Sequence, residues 1–233
     1  MTVQKGYYKR KSEELGVPWY WIPGEELFTK TAITPAPRKP LATAVWPIGS
    51  NRKWFYKFTS NGPNGMGCFG YKRPGQRTHA GVDLPGKSGD IVRAIEDGRI
   101  VSFYHFLSGT WAILVDHGDI TINYSEVDSR SMDYYFLTPR YYKERGKDMI
   151  TTGDPGSTVK AGDPIGRVGL LPSGSSMCHL ELYTSGVSFN KRWLNFPTGV
   201  MPSGMYDPTD YMLSLAGTKV HTKEVIIPAS PCR

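Results

Sequence analysis

From Ile91 onward the chain is written in short runs of β-branched and aromatic residues separated by turn residues. This rhythm excludes most architectures. The runs are IVRAI (91–95), RIVSFYH (99–105), WAILVDH (111–117) and DITINY (119–124), broken by EDG, LSG and HGD. Such side chains suit the pleated, half-buried surface of a sheet, and the glycine triplets end each run. TVKAGDPIGRVG (158–169) adds two short extended pieces around glycine turns, and CHLELYT (178–184) closes the series. With turn signals about every ten residues and no sustained helical period, the expected fold is all-β, a sandwich or an open barrel.

The flanks read differently. Residues 1–45 are rich in proline and aromatics, as in GVPWYWIPGEELF and ITPAPRKPLA, and read as an extended arm. Its Trp and Tyr side chains need a surface to cover them, either the main domain or another protein. Residues 214–233 form a second extended arm, in which EVIIPASP is able to add a strand to a neighbour's edge. The domain proper is then 46–213. Within it, the stretch SRSMDYYFLTPRYYKERGKDMITTGDPGS interrupts the strand rhythm and is expected to be a long loop, docked or rimming a groove.

The 28 Lys+Arg against 21 Asp+Glu leave a formal net charge of +7, which favours an anionic partner. The basic residues are scattered along the sequence, with YKRK (8–11) the densest run. No stripe of interleaved aromatic and basic residues marks a nucleic-acid interface, and none is expected as a partner. No window approaches the roughly 18 apolar residues of a transmembrane segment. The N-terminus has no apolar core of secretory-signal length, so a wall-directed protein would travel by another route. Cys68, Cys178 and Cys232 are too few and too far apart for a disulfide framework or a zinc knuckle, and are expected to be free thiols.

Two segments carry chemistry. THAGVD (78–83) sets His79 and Asp83 four positions apart in a glycine-containing turn. CHLELY reads as a strand, whose side chains alternate between faces. Cys178, Leu180 and Leu182 then make an apolar face, while His179, Glu181 and Tyr183 point the other way. Together His79, Asp83 and His179 supply two imidazoles and one carboxylate, a ligand set that suits one zinc ion with an open position for water. His117, in the turn sequence DHGD, is expected to face solvent. His105 and His221 have no acidic or histidine company and are read as incidental.

These segments resemble the lysostaphin/LytM-type zinc endopeptidases. RTHAGVDLPGKSGDIVRAIEDGRIV is similar to the family's opening H-x-x-x-D segment and the strand that follows it. VKAGDPIGRVG is similar to its V-x-x-G-x-x-I-G-x-x-G stretch, SGSSMCHLELYTSG to its H-x-H-F-E strand, and YDPTDYM to its closing DP…YL. The resemblance covers roughly residues 46–213. It implies a compact antiparallel β-sheet cradle with a groove across it, a zinc ion on His79, Asp83 and His179, and cleavage of peptide bonds in bacterial peptidoglycan.

The sequence departs from that pattern at both assisting histidines. Met177 stands where the first histidine of H-x-H would, and Glu126 stands at the histidine of the Y-A-H-L segment. Glu126 is the expected general base, and Tyr183 a candidate donor to the oxyanion. A register with His179 assisting and Glu181 as ligand loses the match at Leu180 and Glu181. Two functional readings follow. One is a zinc endopeptidase carried on a phage virion, at the tail or tail tip, whose arms bind other tail proteins and which acts in the host periplasm or cell wall. The other is a structural tail component that keeps the fold without turnover.

Overall fold

The computed structural model describes residues 34–48, 67–73, 77–106, 109–128, 139–144, 147–152, 158–193 and 199–215. They form strands β1 (Lys72–Arg73), β2 (Arg77–Thr78), β3 (Val82–Pro85), β4 (Ile91–Arg93), β5 (Gly98–His105), β6 (Trp111–Asp116) and β7 (Ile120–Val127). Then come β8 (Pro139–Glu144), β9 (Lys147–Thr152), β10 (Thr158–Val159), β11 (Pro164–Arg167), β12 (Met177–Thr184), β13 (Met205–Tyr206) and helix α1 (Thr209–Leu215). The fold is mainly β and antiparallel, as expected.

One nine-stranded sheet dominates, in the order β13-β12-β7-β6-β5-β9-β8, with β3 on β12 and β10 on β5. Its central strands are covered on both sides, which is why β7 is buried along its whole length. The alternation sorts the side chains. Ile122 and Tyr124 of β7, Ile113 and Val115 of β6, and Leu180 and Leu182 of β12 enter the main core with Trp46 and Val82. On the opposite face Ala112 and Leu114 pack with Tyr104 and Phe106 in a smaller cluster. Thr121, Asn123, Ser125 and Glu181 are buried as well; Glu181 accepts from the Asn123 amide and the Tyr183 hydroxyl, and Ser125 donates to the His179 carbonyl.

Three expectations are corrected. The stretch read as a long loop contains an antiparallel pair, β8 with β9, that extends the main sheet: Phe103 of β5 pairs with Ile150 and Tyr104 with Met149. Cys68 is disulfide-bonded and only Cys178, buried in the core, is free among the described cysteines. His117 does not face solvent. It is 8% exposed, its Nδ1–H donates to the Asp97 carbonyl at 3.0 Å, and its Nε2 lies 3.3 Å from the Tyr124 hydroxyl. A turn sequence sets backbone shape and leaves the side chain free to pack inward.

The described part of the N-terminal arm lies along the domain. Thr34 and Pro35 meet Asp207 through a backbone hydrogen bond and a parallel bridge, and Val45 N–H donates to Ile95. Arg38 fastens this strap. Its Nη1 and Nη2 donate to the two carboxylate oxygens of fully buried Glu96 at 2.9 and 2.7 Å, and its Nε donates to Asp119. Leu41 N–H and the Tyr211 hydroxyl also donate to Glu96. At the other end, Asp207 caps α1 by accepting from Thr209 N–H, and the helix runs past 213 to buried Leu215. The remaining residues of both arms, 1–33 and 216–233, lie outside the described residues.

Candidate metal centre

The site forms where β12 lies beside β3. In this ladder His179 is directly opposite Asp83, and on its other edge His179 is opposite Ser125 of β7. Asp83 comes from β3, and His79 from the turn that leads into it. That turn must approach β12 closely. A Cβ on Gly81 would stand 2.0 Å from the Leu180 carbonyl oxygen, so no other residue fits without moving the backbone.

Three acceptor-type atoms converge here. His79 Nε2 is 3.1 Å from Asp83 Oδ1 and 2.9 Å from His179 Nδ1, and His179 Nδ1 is 2.8 Å from Asp83 Oδ1. All three residues are buried. The far nitrogen of each ring settles which atom faces inward. His79 Nδ1 lies 2.7 Å from the Cys68 carbonyl, which can only accept, so the proton sits on Nδ1 and Nε2 presents a lone pair. His179 Nε2 lies 3.2 Å from Glu181 Oε1 and donates to it, which turns Nδ1 inward. Two ring lone pairs and a carboxylate oxygen at such distances repel one another unless a cation lies among them. An ion with ligand bonds of about 2.0–2.2 Å fits this triangle once its edges open by a few tenths of an ångström.

The surrounding groups orient the three candidate ligands. Glu181 accepts from the Asn123 amide at 2.5 Å and from the Tyr183 hydroxyl at 2.7 Å, and Asp83 Oδ2 accepts from Arg73 Nη2 at 2.9 Å. This is the usual second layer of a histidine metal site, in which a carboxylate or carbonyl holds the ring nitrogen that does not face the metal. The charges agree. Burial pushes His179 down, but its hydrogen bonds to Asp83 and Glu181 override that and hold it up at about 10. Burial would raise Asp83, yet His79 and His179 keep its carboxyl well below the usual range. Burial lowers His79, against the pull of Asp83.

Glu126 lines the same pocket as His79, His179 and Glu181. Its presence there depends on a bulge. β6 pairs Trp111 with Val127 and Ala112 with Ser125, leaving Glu126 as the extra residue, with a φ of 62°. Regular alternation would aim Glu126 away from the face that carries Ser125, and the bulge re-aims it toward the site. The bulge is accommodated at Gly169, whose N–H donates to the Glu126 carbonyl and where a Cβ would meet that oxygen at 2.9 Å.

Tyr183 has a different place from the one expected of an oxyanion donor. It is fully buried, its hydroxyl donates to Glu181 and accepts from Lys191 N–H, and it does not line the pocket. It supports Glu181 from beneath. Sequence reading missed the other side chains that line the pocket, Arg73, Arg77, Lys191, Arg192, Phe106 and Trp193. Phe106 stacks on His179 with ring centres 5.8 Å apart. His105 lies edge-on to Trp111 and takes no part, and His221 is outside the described residues.

Neither a scan of protein-family models nor a search of curated proteins gives a match. Among solved structures the chain is similar to Csd3 of Helicobacter pylori, with 20% identity over 70% of this chain and a TM-score of 0.37. The chain spans 36% of Csd3's length. It is similar also to LytU, at 20% identity over 58% of this chain and 73% of that one, with a TM-score of 0.36. Lysostaphin matches at 16% identity over 80% and 55%, with a TM-score of 0.36. These likenesses concern the fold, and the chemistry stands on the atoms of the site.

Proposed function

We propose that this chain is a zinc-dependent endopeptidase acting on peptide bonds of bacterial peptidoglycan. The observation that carries the reading is the inward triangle of His79 Nε2, Asp83 Oδ1 and His179 Nδ1, with each ring's outer N–H already committed to an acceptor. His79, Asp83 and His179 would hold a single zinc ion, which when bound would supply Lewis-acid polarisation of a peptide carbonyl and of a water. Glu126, beside the triangle but not part of it, is the group that would accept the proton of a water nucleophile in this pocket. Phe106 and Trp193 wall the pocket with apolar surface and strengthen electrostatic interactions inside it. The Cys68 disulfide fits action in an oxidising compartment outside the cytoplasm.

Carriage on a phage tail belongs to the same proposal. It draws support from the Pro- and aromatic-rich arms, and detecting the chain in purified virions tests it. Met177, at the start of β12, offers no strong hydrogen-bond donor. That favours a second reading, a tail component with the metal but without turnover. The deciding experiment pairs elemental analysis with digestion of purified peptidoglycan, for wild type and His179→Ala. Stoichiometric zinc and released peptides in wild type, both lost in the variant, are expected. Zinc retained by His179→Ala overturns the ligand assignment, and zinc without any release supports the structural reading.

A further inference from the structure

Part of the charge that looks scattered in the sequence meets at the pocket, where Arg73, Arg77, Lys191 and Arg192 all line the wall. Two stretches of described residues line it, Arg73 with residues 77–80, and residues 190–193. These stretches hold Arg73, Arg77, Lys191 and Arg192 and no Asp or Glu; the pocket's carboxylates, Glu126 and Glu181, come from β7 and β12. The fold brings them together: Thr78 N–H donates to the Trp193 carbonyl at 2.9 Å, which sets Arg77 and Arg192 next to the two ends of one hydrogen bond. Lys72 lies over the Trp193 ring at 5.9 Å. In the β1–β2 ladder Arg73 is directly opposite Arg77. Like charges opposite each other across a ladder are unfavourable. Arg73 is turned to Asp83 beneath it, while Arg77 and Arg192 are exposed on the rim.

We propose that this rim is a subsite for a carboxylate of the substrate peptide, with Arg77 and Arg192 as its specificity-determining residues. The inference deepens the wall-peptidase reading and rests on it for the class of peptide. A guanidinium presents its donors in a planar fork that matches a carboxylate two bonds at a time. The subsite shares a pocket with the metal triangle, so a peptide laid across His79 and His179 brings a neighbouring acidic side chain or chain end to the rim. An amidated peptide of the same length loses these contacts.

The test uses the zinc-loaded full chain and two soluble stem-type peptides, one with its glutamate and terminal carboxylates free and one with both amidated. Binding is measured by calorimetry at low and moderate salt, and cleavage is followed separately. Wild type is expected to bind the acidic peptide about tenfold more tightly, the size of one or two charge-assisted contacts at a partly solvated rim. The preference should shrink with salt. Arg77→Glu and Arg192→Glu, both at exposed positions, should abolish or reverse it with unchanged zinc content and melting. Equal binding of the two peptides, or binding of neither, overturns the subsite. So does a rim that ignores peptide charge but binds a polyglycerol phosphate in a variant-sensitive way. Charge preference without cleavage would count against the peptidase reading alone, and cleavage without charge preference against the subsite alone.

Discussion

Gly81 lies against the Leu180 carbonyl so closely that a methyl group at 81 would stand 2.0 Å from that oxygen. The turn bearing His79 and Asp83 is therefore held to the strand bearing His179 by the absence of a side chain. Gly81→Ala must push the turn away from β12. We expect a loss of about 1–3 kcal/mol in stability from overpacking, together with loss of the metal, because the two halves of the triangle part. Thermal melting and zinc stoichiometry check this, and a variant that binds zinc like wild type would show that the contact is dispensable.

Glu181→Gln addresses how His179 is oriented. The carboxylate accepts from His179, Asn123 and Tyr183. An amide has one oxygen for these three donors and sets its own NH2 against at least one of them. Zinc affinity should fall by about 10–100-fold, the usual effect of losing an outer-layer partner. Competition with a chromogenic chelator measures it.

Glu126→Gln separates chemistry from metal binding. The variant keeps the shape of the side chain at the bulge and loses the ability to accept a proton. Peptide release should drop by about a hundred- to ten-thousand-fold, with zinc content unchanged because Glu126 lies outside the triangle. Equal rates from the two proteins would remove Glu126 from the mechanism.

Arg38→Ala leaves the Glu96 carboxylate buried without its guanidinium. Loss of one partner of such a pair should lower stability by about 3 kcal/mol at neutral pH. Burial alone would raise the Glu96 carboxyl, but hydrogen bonds from Arg38, Tyr211 and Leu41 keep it below its usual value of 4.5. A depressed folded value means that the stabilisation is full above the unfolded value and is lost as pH falls through the folded one. The gap between wild type and variant should accordingly be constant near neutrality and narrow in acid. Denaturant melts across that range test it. Trimming residues 1–45 should likewise lower the melting point more than trimming 1–33, because only the longer cut removes Arg38 and Leu41.

Strands β5, β6, β7 and β12 were legible because their β-branched and aromatic runs end at glycine turns. His79, Asp83 and His179 were legible because their residue types are those of a metal site and because strand alternation puts His179 off the core face. The direction of Glu126 was not, since one inserted residue reverses the alternation and only the pairing of Trp111 with Val127 reveals it. The basic rim was hidden for a related reason. Arg77 and Arg192 are far apart in the chain and meet through a backbone hydrogen bond that neither side chain announces. The β8–β9 pair lay in a stretch rich in tyrosine and mixed charge, where no apolar alternation set it apart from a loop.

β12 is hydrogen-bonded to β7 on one edge and to β3 and β13 on the other, and it carries the last of the three candidate metal ligands. His79 and His179 stand 100 residues apart in sequence. A nascent chain that has made β3 through β11 holds two ligands and nothing to close the triangle. The same strand that ties β3 and β13 to the rest of the sheet also delivers the third candidate ligand, so if an ion binds this triangle, its capture waits on closure of that edge of the sheet. The metal would then act as a proofreading mark, carried only by copies whose sheet has closed.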